Sequence, residues 1–269
     1  MIKSIMSTEK VLNSIICGDC LEVMKEIEDK SIDMILADLP YGTTACKWDT
    51  IIPFEPLWEQ YKRIIKDNGA IVLTASQPFT SALVMSNIKW FKYEWIWIKN
   101  RITGFANAKK QPLRNYEDVL VFSKLKTNYY PQGLTRINKI NKNEKSVGGE
   151  TLRNNIEDSA NKGSLRTAGK EYIQEFTGYP KQTLFYIIED KNKLHPTQKP
   201  VALGQYLIRT YTNKGDLVLD NTCGSGSFLV AAMLEGRDFI GIELDENYCN
   251  IAKKRLEDTR KDIDSKLSF

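Results

Sequence analysis

Leu217-Val218-Leu219-Asp220-Asn221-Thr222-Cys223-Gly224-Ser225-Gly226 decides the fold. An apolar strand runs into a Gly-Ser-Gly turn, and the apolar stretch from Ser227 to Leu234 follows at once as a helix. Glycines let the backbone turn tightly and approach a ligand, while the helix start offers free N–H groups. The next strand, Phe239-Ile240-Gly241-Ile242-Glu243, ends in an acid about 20 residues after Gly224, the spacing that suits ribose hydroxyls. The third glycine of a dinucleotide fingerprint is replaced by Leu229. The pattern therefore favours a nucleoside cofactor over NAD, and a nicotinamide-dependent oxidoreductase becomes the weaker alternative.

Outward from that turn, strand and helix signals alternate. Towards the N-terminus the strands are 14–17, 32–37, 70–75, 93–99 and 119–124, with helices over 19–28, 54–66 (closing at Asn68-Gly69) and 78–88. Towards the C-terminus, helices over 201–212, 228–234 and 246–257 flank strands 217–220 and 239–243. The rhythm predicts an α/β, doubly wound, mostly parallel sheet of Rossmann-like type. Alternation in Trp95-Ile96-Trp97-Ile98 marks the tryptophans as core.

Residues 125–193 break the rhythm, being rich in Asn, Lys, Gly and Thr. Between Lys99 and Lys170 there are 15 Lys and Arg against 6 Asp and Glu, an excess of nine in a chain whose total is +4. Such a concentration is the footprint of a nucleic-acid groove, or of a solvated lysine-rich loop.

A second motif, Asp38-Leu39-Pro40-Tyr41-Gly42, ends the buried strand Ile32-Asp33-Met34-Ile35-Leu36-Ala37. Ligands of open α/β sheets bind at such strand ends. An exocyclic amine on a base is a poor nucleophile because its lone pair is delocalised. A carboxylate and a backbone carbonyl can accept its two N–H groups and aim the lone pair at an electrophilic methyl. Pro40 stiffens the turn, and Tyr41 offers an aromatic face for an unstacked base.

Other classes recede. No apolar run approaches the ~20 residues of a membrane span, and the N-terminus lacks a secretory core, so an intracellular protein is expected. The five cysteines (17, 20, 46, 223, 249) form no regular framework, which fits a reducing compartment. Cys17-Gly18-Asp19-Cys20 is a lone CxxC in a chain with one histidine, so no metal site is expected.

Together the two motifs resemble the DNA amino-methyltransferases of the N6-adenine/N4-cytosine family. The order, with 38–41 far upstream of 220–226, resembles its permuted beta group. In that family an Asp-Pro-Pro-Tyr loop is catalytic. The resemblance makes Asp38, Leu39, Pro40 and Tyr41 catalytic here, with Leu39 in place of the first proline. Asp rather than Ser at the first position points to adenine. The same resemblance implies S-adenosylmethionine as cofactor, held by Asp19, Cys20, Asp38, Asp220, Thr222, Cys223, Gly224, Ser225, Gly226 and Glu243. His195-Pro196-Thr197-Gln198-Lys199-Pro200 resembles the family element lining the methionine end, which adds His195, Thr197 and Lys199. The segment 115–124 and the Pro78-Phe79 region resemble elements near the target base.

The resemblance further implies a catalytic half over 1–124, a target-recognition insertion over 125–193 and a cofactor-binding half over 194–269. The partner is DNA, with a base flipped from the duplex, in a cytoplasmic, prokaryotic or phage setting. A homodimer and a cognate restriction enzyme stay open, as do cytosine N4 or RNA as target and a DNA-binding subunit without catalysis.

Overall fold

The computed structural model describes residues 11–43, 49–142, 171–188, 194 and 197–267. Two compact units divide the chain: one joins Met1–Tyr130 with Lys181–Phe269, the other is Pro131–Pro180.

The larger unit is built on an eight-stranded sheet. Along the chain come β1 (Ser14–Cys17), α1 (Cys20–Met24), β2 (Ile32–Ala37), α2 (Phe54–Ile64), β3 (Ile65–Ala75), α3 (Phe79–Ser86), β4 (Phe91–Thr103) and β5 (Arg114–Phe122). The smaller unit carries β6 (Thr135–Lys142) and β7 (Glu171–Thr177), an antiparallel pair. Then follow β8 (Thr183–Phe185), α4 (Val201–Tyr211), β9 (Leu217–Asp220), α5 (Ser227–Leu234), β10 (Asp238–Glu243) and α6 (Glu246–Leu267). The sheet order is β1-β10-β9-β2-β3-β5-β4-β8. Neighbours are parallel except at β5, which runs against both β3 and β4. The mostly parallel, doubly wound sheet is thus as expected.

Alternating side chains feed two cores. Met34 and Leu36 face one layer with Val72, Val218, Leu207 and Phe228. Ile35 and Ala37 face the other with Ile71, Leu219, Trp58 and Tyr61. Both faces of the central strands are covered, which is why they read as continuous apolar runs. Helix α2 buries Leu57, Trp58, Tyr61 and Ile64, one stripe at helical spacing. Helix α5 is apolar nearly all round because it sits between the sheet and its neighbours α4 and α6. Leu229 fits here because its neighbour on β10 is Gly241, where any Cβ would collide with the Leu229 Cδ1.

Some boundaries differ from expectation. Helix α1 stops at Met24, and the backbone continues in turns closed three residues back, from Lys25, Glu26 and Ile27. Helix α2 stops at Ile64, whose successor Ile65 is already extended, so Asn68 and Gly69 lie inside β3. Gly69 is required there for space: a Cβ would sit 2.8 Å from the Asp33 carbonyl oxygen and from Ile65. The basic window is not structureless either, since it contains β6, β7 and β8, the last of which extends the main sheet beside β4.

Two cysteines far apart in the chain come side by side: Cys17 at the end of β1 and Cys249 in α6, their Cα atoms 6.0 Å apart. They are 232 residues apart in sequence. Only the packing of α6 on β1 brings them together.

Candidate active site

Strands β2 and β9 are parallel neighbours, Ile35 opposite Leu219. From β2 the chain winds outward to β3, and from β9 it winds the other way to β10. Their C-terminal ends therefore open a crevice where the connections diverge, the place where open α/β sheets bind ligands. Both motifs lie there. The Thr222 hydroxyl donates to the Asp38 carbonyl oxygen at 3.1 Å, tying one loop to the other. A cavity of about 790 Å³ is lined by Asp19, Asp38, Tyr41, Lys199, Gly224 and Glu243 among others.

The Asp38 carboxylate is held on three sides. Tyr41 donates its hydroxyl to Oδ1 at 2.8 Å, and the Thr74 hydroxyl donates to the same oxygen. Lys199 Nζ donates to Oδ2 at 2.6 Å. The lysine also lies 3.3 Å from Glu117 Oε2, and Lys99 Nζ donates to Glu117 Oε1 at 2.9 Å. Burial opposes the charge on Lys199, but Asp38 and Glu117 outweigh it and hold the ammonium above its ordinary pKa. Burial, with Asp38 and Glu117 adding, keeps the Tyr41 phenol protonated well past its usual range. A carboxylate has roughly four acceptor sites. Three donors leave Asp38 about one for an incoming N–H.

The loop after Asp38 is braced from behind. Asp49 accepts from the backbone N–H of Gly42 and of Thr43, each at 2.9 Å. Gly42 has φ +66°, and a Cβ there would lie 2.9 Å from Ile51, so only glycine closes this turn. Tyr41 stacks on Phe79, ring centroids 5.1 Å apart.

On the other side, Glu243 accepts from Gly224 N–H at 2.8 Å and from Asp245 N–H at 2.9 Å. Gly226 caps α5 at φ +77°. Ser225 donates to Gln198 at 3.4 Å, and Arg255 donates to the Ser225 carbonyl at 3.1 Å. Asp19 caps α1, accepting from Leu21 N–H at 2.8 Å. Burial pushes the Asp220 carboxyl well above the ordinary range, and the charges of Asp38 and Glu243 push further. Burial likewise raises Cys20, and raises Cys223 strongly, so both stay thiols.

The structure brings nearly all the expected residues to this cavity. Asp38, Leu39, Pro40, Tyr41, Asp19, Cys20, Thr197, Lys199, Asp220, Thr222, Cys223, Gly224, Ser225 and Glu243 line it. Gly226 sits just behind as the α5 cap, and His195 and Pro196 lie outside the described residues. Phe79 is buried beneath Tyr41, whereas Arg114, Tyr116 and Glu117 of β5 line the cavity. Trp95 and Trp97 are core, as alternation suggested, with Trp97 also reaching the cavity wall. Sequence reading missed Lys99, Glu117, Thr74 and Asp49. The one available signal was a charge inside an apolar strand, Lys99 after Trp97-Ile98 and Glu117 before Val119-Leu120. Among the described residues no cluster of His, Cys, Asp and Glu could hold a metal.

A family model described as a DNA methylase of the N6/N4 type matches residues 32–254. The chain belongs to the N6/N4 DNA methylase family. The Type II methyltransferase M.HinfI of Haemophilus influenzae is 29% identical over 93% of this chain and 69% of its own length. The DNA adenine methyltransferase YhdJ of Escherichia coli (strain K12) is 28% identical over 91% of this chain and 82% of its own. The fold is that of solved DNA methyltransferases. M1.HpyAVI in complex with SAM superposes at a TM-score of 0.56, with 24% identity over 90% of this chain and 98% of that one. The cytosine-N4-specific PvuII DNA methyltransferase superposes at 0.63, with 14% identity over 91% and 90%.

Methylases of this family take their methyl group from S-adenosylmethionine, and the cavity suits it. That molecule carries a sulfonium and an ammonium. The cavity brings the carboxyl groups of Asp38, Asp220 and Glu243 to one wall with the glycine turn at Gly224, acceptors that suit such a ligand.

Proposed function

We propose that this DNA methylase transfers the methyl group of S-adenosylmethionine to N6 of an adenine flipped out of duplex DNA, at a specific sequence. The observation that carries the reading is the Thr222–Asp38 hydrogen bond, which joins the amine-binding loop and the glycine-rich loop in one cavity. Asp38 accepts one amine N–H and the Leu39 carbonyl the other, and Tyr41 flanks the base. Asp19, Thr197, Asp220, the loop at 222–226 and Glu243 hold the cofactor, which supplies an electrophilic methyl on sulfur. No thiol is a nucleophile, in keeping with Cys20 and Cys223 being held protonated.

Adenine is favoured by Asp at position 38 and by the likeness to the DNA adenine methyltransferase YhdJ. The cytosine-N4 reading has the likeness to PvuII behind it. The basic window 125–193 is the target-recognition region in this reading, between catalytic and cofactor-binding halves. The setting is the bacterial cytoplasm, in keeping with the bacterial relatives, and no described helix is long and apolar enough to cross a membrane.

The test is tritiated methyl transfer to unmethylated duplex DNA, with product nucleosides separated, for wild type and Asp38→Ala. Label in N6-methyl-2′-deoxyadenosine, absent in the variant, supports the reading. Label in N4-methyl-2′-deoxycytidine replaces the base. No label on DNA, with cofactor still bound, overturns it.

A further inference from the structure

Strand β4 runs beyond the cavity. Its residues Lys99, Arg101 and Thr103 line the cavity wall, on alternate positions as a strand requires. Thr103 pairs with Arg114 of β5, which also lines the wall. Between them the chain forms a tip, residues 104–113, that is exposed apart from a half-buried Leu113. The tip is ordered by its own hydrogen bonds: Asn107 N–H to Gly104 at 2.9 Å, Ala108 N–H to Phe105 at 3.1 Å and Lys110 N–H to Asn107 at 2.8 Å. From Lys99 to Tyr116 it carries Lys99, Arg101, Lys109, Lys110 and Arg114, and no acid. At its turn stands Phe105, 66% exposed.

An apolar ring at the end of a basic hairpin is unfavourable in water and unsuited to an apolar protein groove ringed by nothing acidic. It suits a polyanion that offers flat apolar surfaces between its charges, which is a nucleic-acid base stack. The hairpin also continues the cavity wall, so it meets duplex DNA beside the place where a base is withdrawn.

We infer that the 104–113 hairpin tip is a DNA wedge: Phe105 fills the stack vacated by the flipped base while Lys109 and Lys110 grip the flanking phosphates. The inference rests on the proposed reading and adds to it the device that opens the duplex. The stack loses the contacts of the departing base, and the ring replaces part of them, so the open state is favoured.

Phe105→Ala and the double variant Lys109→Ala/Lys110→Ala test it, with thermal melting and S-adenosylmethionine binding confirming that each variant folds. Fluorescence anisotropy on a short mixed-sequence duplex is followed from about 50 to 200 mM salt. The double variant is expected to lose about two units of the slope of log affinity against log salt, since each phosphate contact contributes about 0.9. Phe105→Ala is expected to keep the slope. Its methyl transfer should fall about tenfold on a matched duplex, in line with one lost stacking contact. Transfer should recover on a duplex mismatched opposite the target base, the target having been located by sequencing methylated product.

An unchanged slope in the double variant, or full activity of Phe105→Ala on matched DNA, or a defect equal on matched and mismatched DNA, overturns the wedge while wild-type methylation stands. A wild type that transfers nothing to DNA, with a slope that still falls when the lysines go, sinks the methyl-transfer reading and keeps the hairpin as a DNA contact.

Discussion

Lys199 Nζ stands 2.6 Å from Asp38 Oδ2, although 161 residues separate them in the chain. The pair joins the element preceding the glycine-rich half to the Asp38–Gly42 loop. The same ammonium lies 3.3 Å from Glu117, so one cation serves two carboxylates that would otherwise repel. Its side chain is only 8% exposed.

Lys199→Met is expected to destabilise the fold by roughly 3–5 kcal/mol at neutral pH, because the largely buried Asp38 carboxylate loses its counter-charge and Glu117 is left with Lys99 alone. The sign with pH follows from the direction of the shift. The folded pKa of Lys199 lies above its ordinary 10.5, so the pair's contribution is complete below that value and is lost as pH rises through the folded pKa. Urea unfolding of wild type and variant should therefore differ by a constant amount from pH 7 to about 9 and converge only in strong alkali. A gap that closes below pH 9 would contradict the pairing.

Asp38→Asn keeps the shape of the side chain but can turn an amide donor towards Lys199. Methyl transfer should fall by about a hundredfold or more, the scale of a lost preorganised acceptor. Affinity for S-adenosylmethionine, read by calorimetry, should change much less. Loss of both together would place Asp38 in the cofactor site alone.

Gly42→Ala is expected to cost at least about 1–2 kcal/mol from the left-handed backbone, plus the contact with Ile51. Because Gly42 follows Tyr41 directly, the melting point and the transfer rate should fall together. Wild-type activity in a destabilised variant would show that the turn does not position the loop.

Asp220→Asn should separate stability from binding. The carboxyl is raised above its ordinary 3.8, so the folded apo protein retains a proton that the unfolded chain gives up, and stability declines as pH rises from about 4 through the folded value. An amide does not ionise. The variant should match or exceed wild-type apo stability at pH 7 in urea titrations, yet, on the proposed cofactor role of Asp220, bind S-adenosylmethionine about tenfold or more weakly, because an amide cannot give up a proton to meet a cationic ligand. Weaker folding at pH 7 would show that the carboxylate is stabilised by partners rather than strained by burial.

Much of the fold was legible because its signals are local. The central strands are apolar on both faces, so 32–37 and 217–220 stand out from any neighbours and match β2 and β9 to the residue. Gly224, Gly226 and Glu243 announce a cradle by spacing alone. Boundaries were less legible where packing overrode a local cue. Asn68-Gly69 reads as a helix stop, yet Gly69 is there because a side chain would meet the Asp33 carbonyl oxygen on β2 and the Ile65 side chain on its own strand.

The sequence by itself determined the alternation of strands and helices, the glycine-rich turn, the Asp38–Gly42 motif and the order in which the two motifs occur. Apart from that order, which is read directly along the chain, each is a relation among residues within about 20 positions, set by backbone geometry and side-chain period. Only the tertiary structure decided that Lys199 serves Asp38, that Glu117 and Lys99 complete the network, that Thr222 ties the two loops, and that Cys17 meets Cys249. Those partners lie on different elements, and no period along the chain records which sheet neighbours bring them within hydrogen-bonding distance.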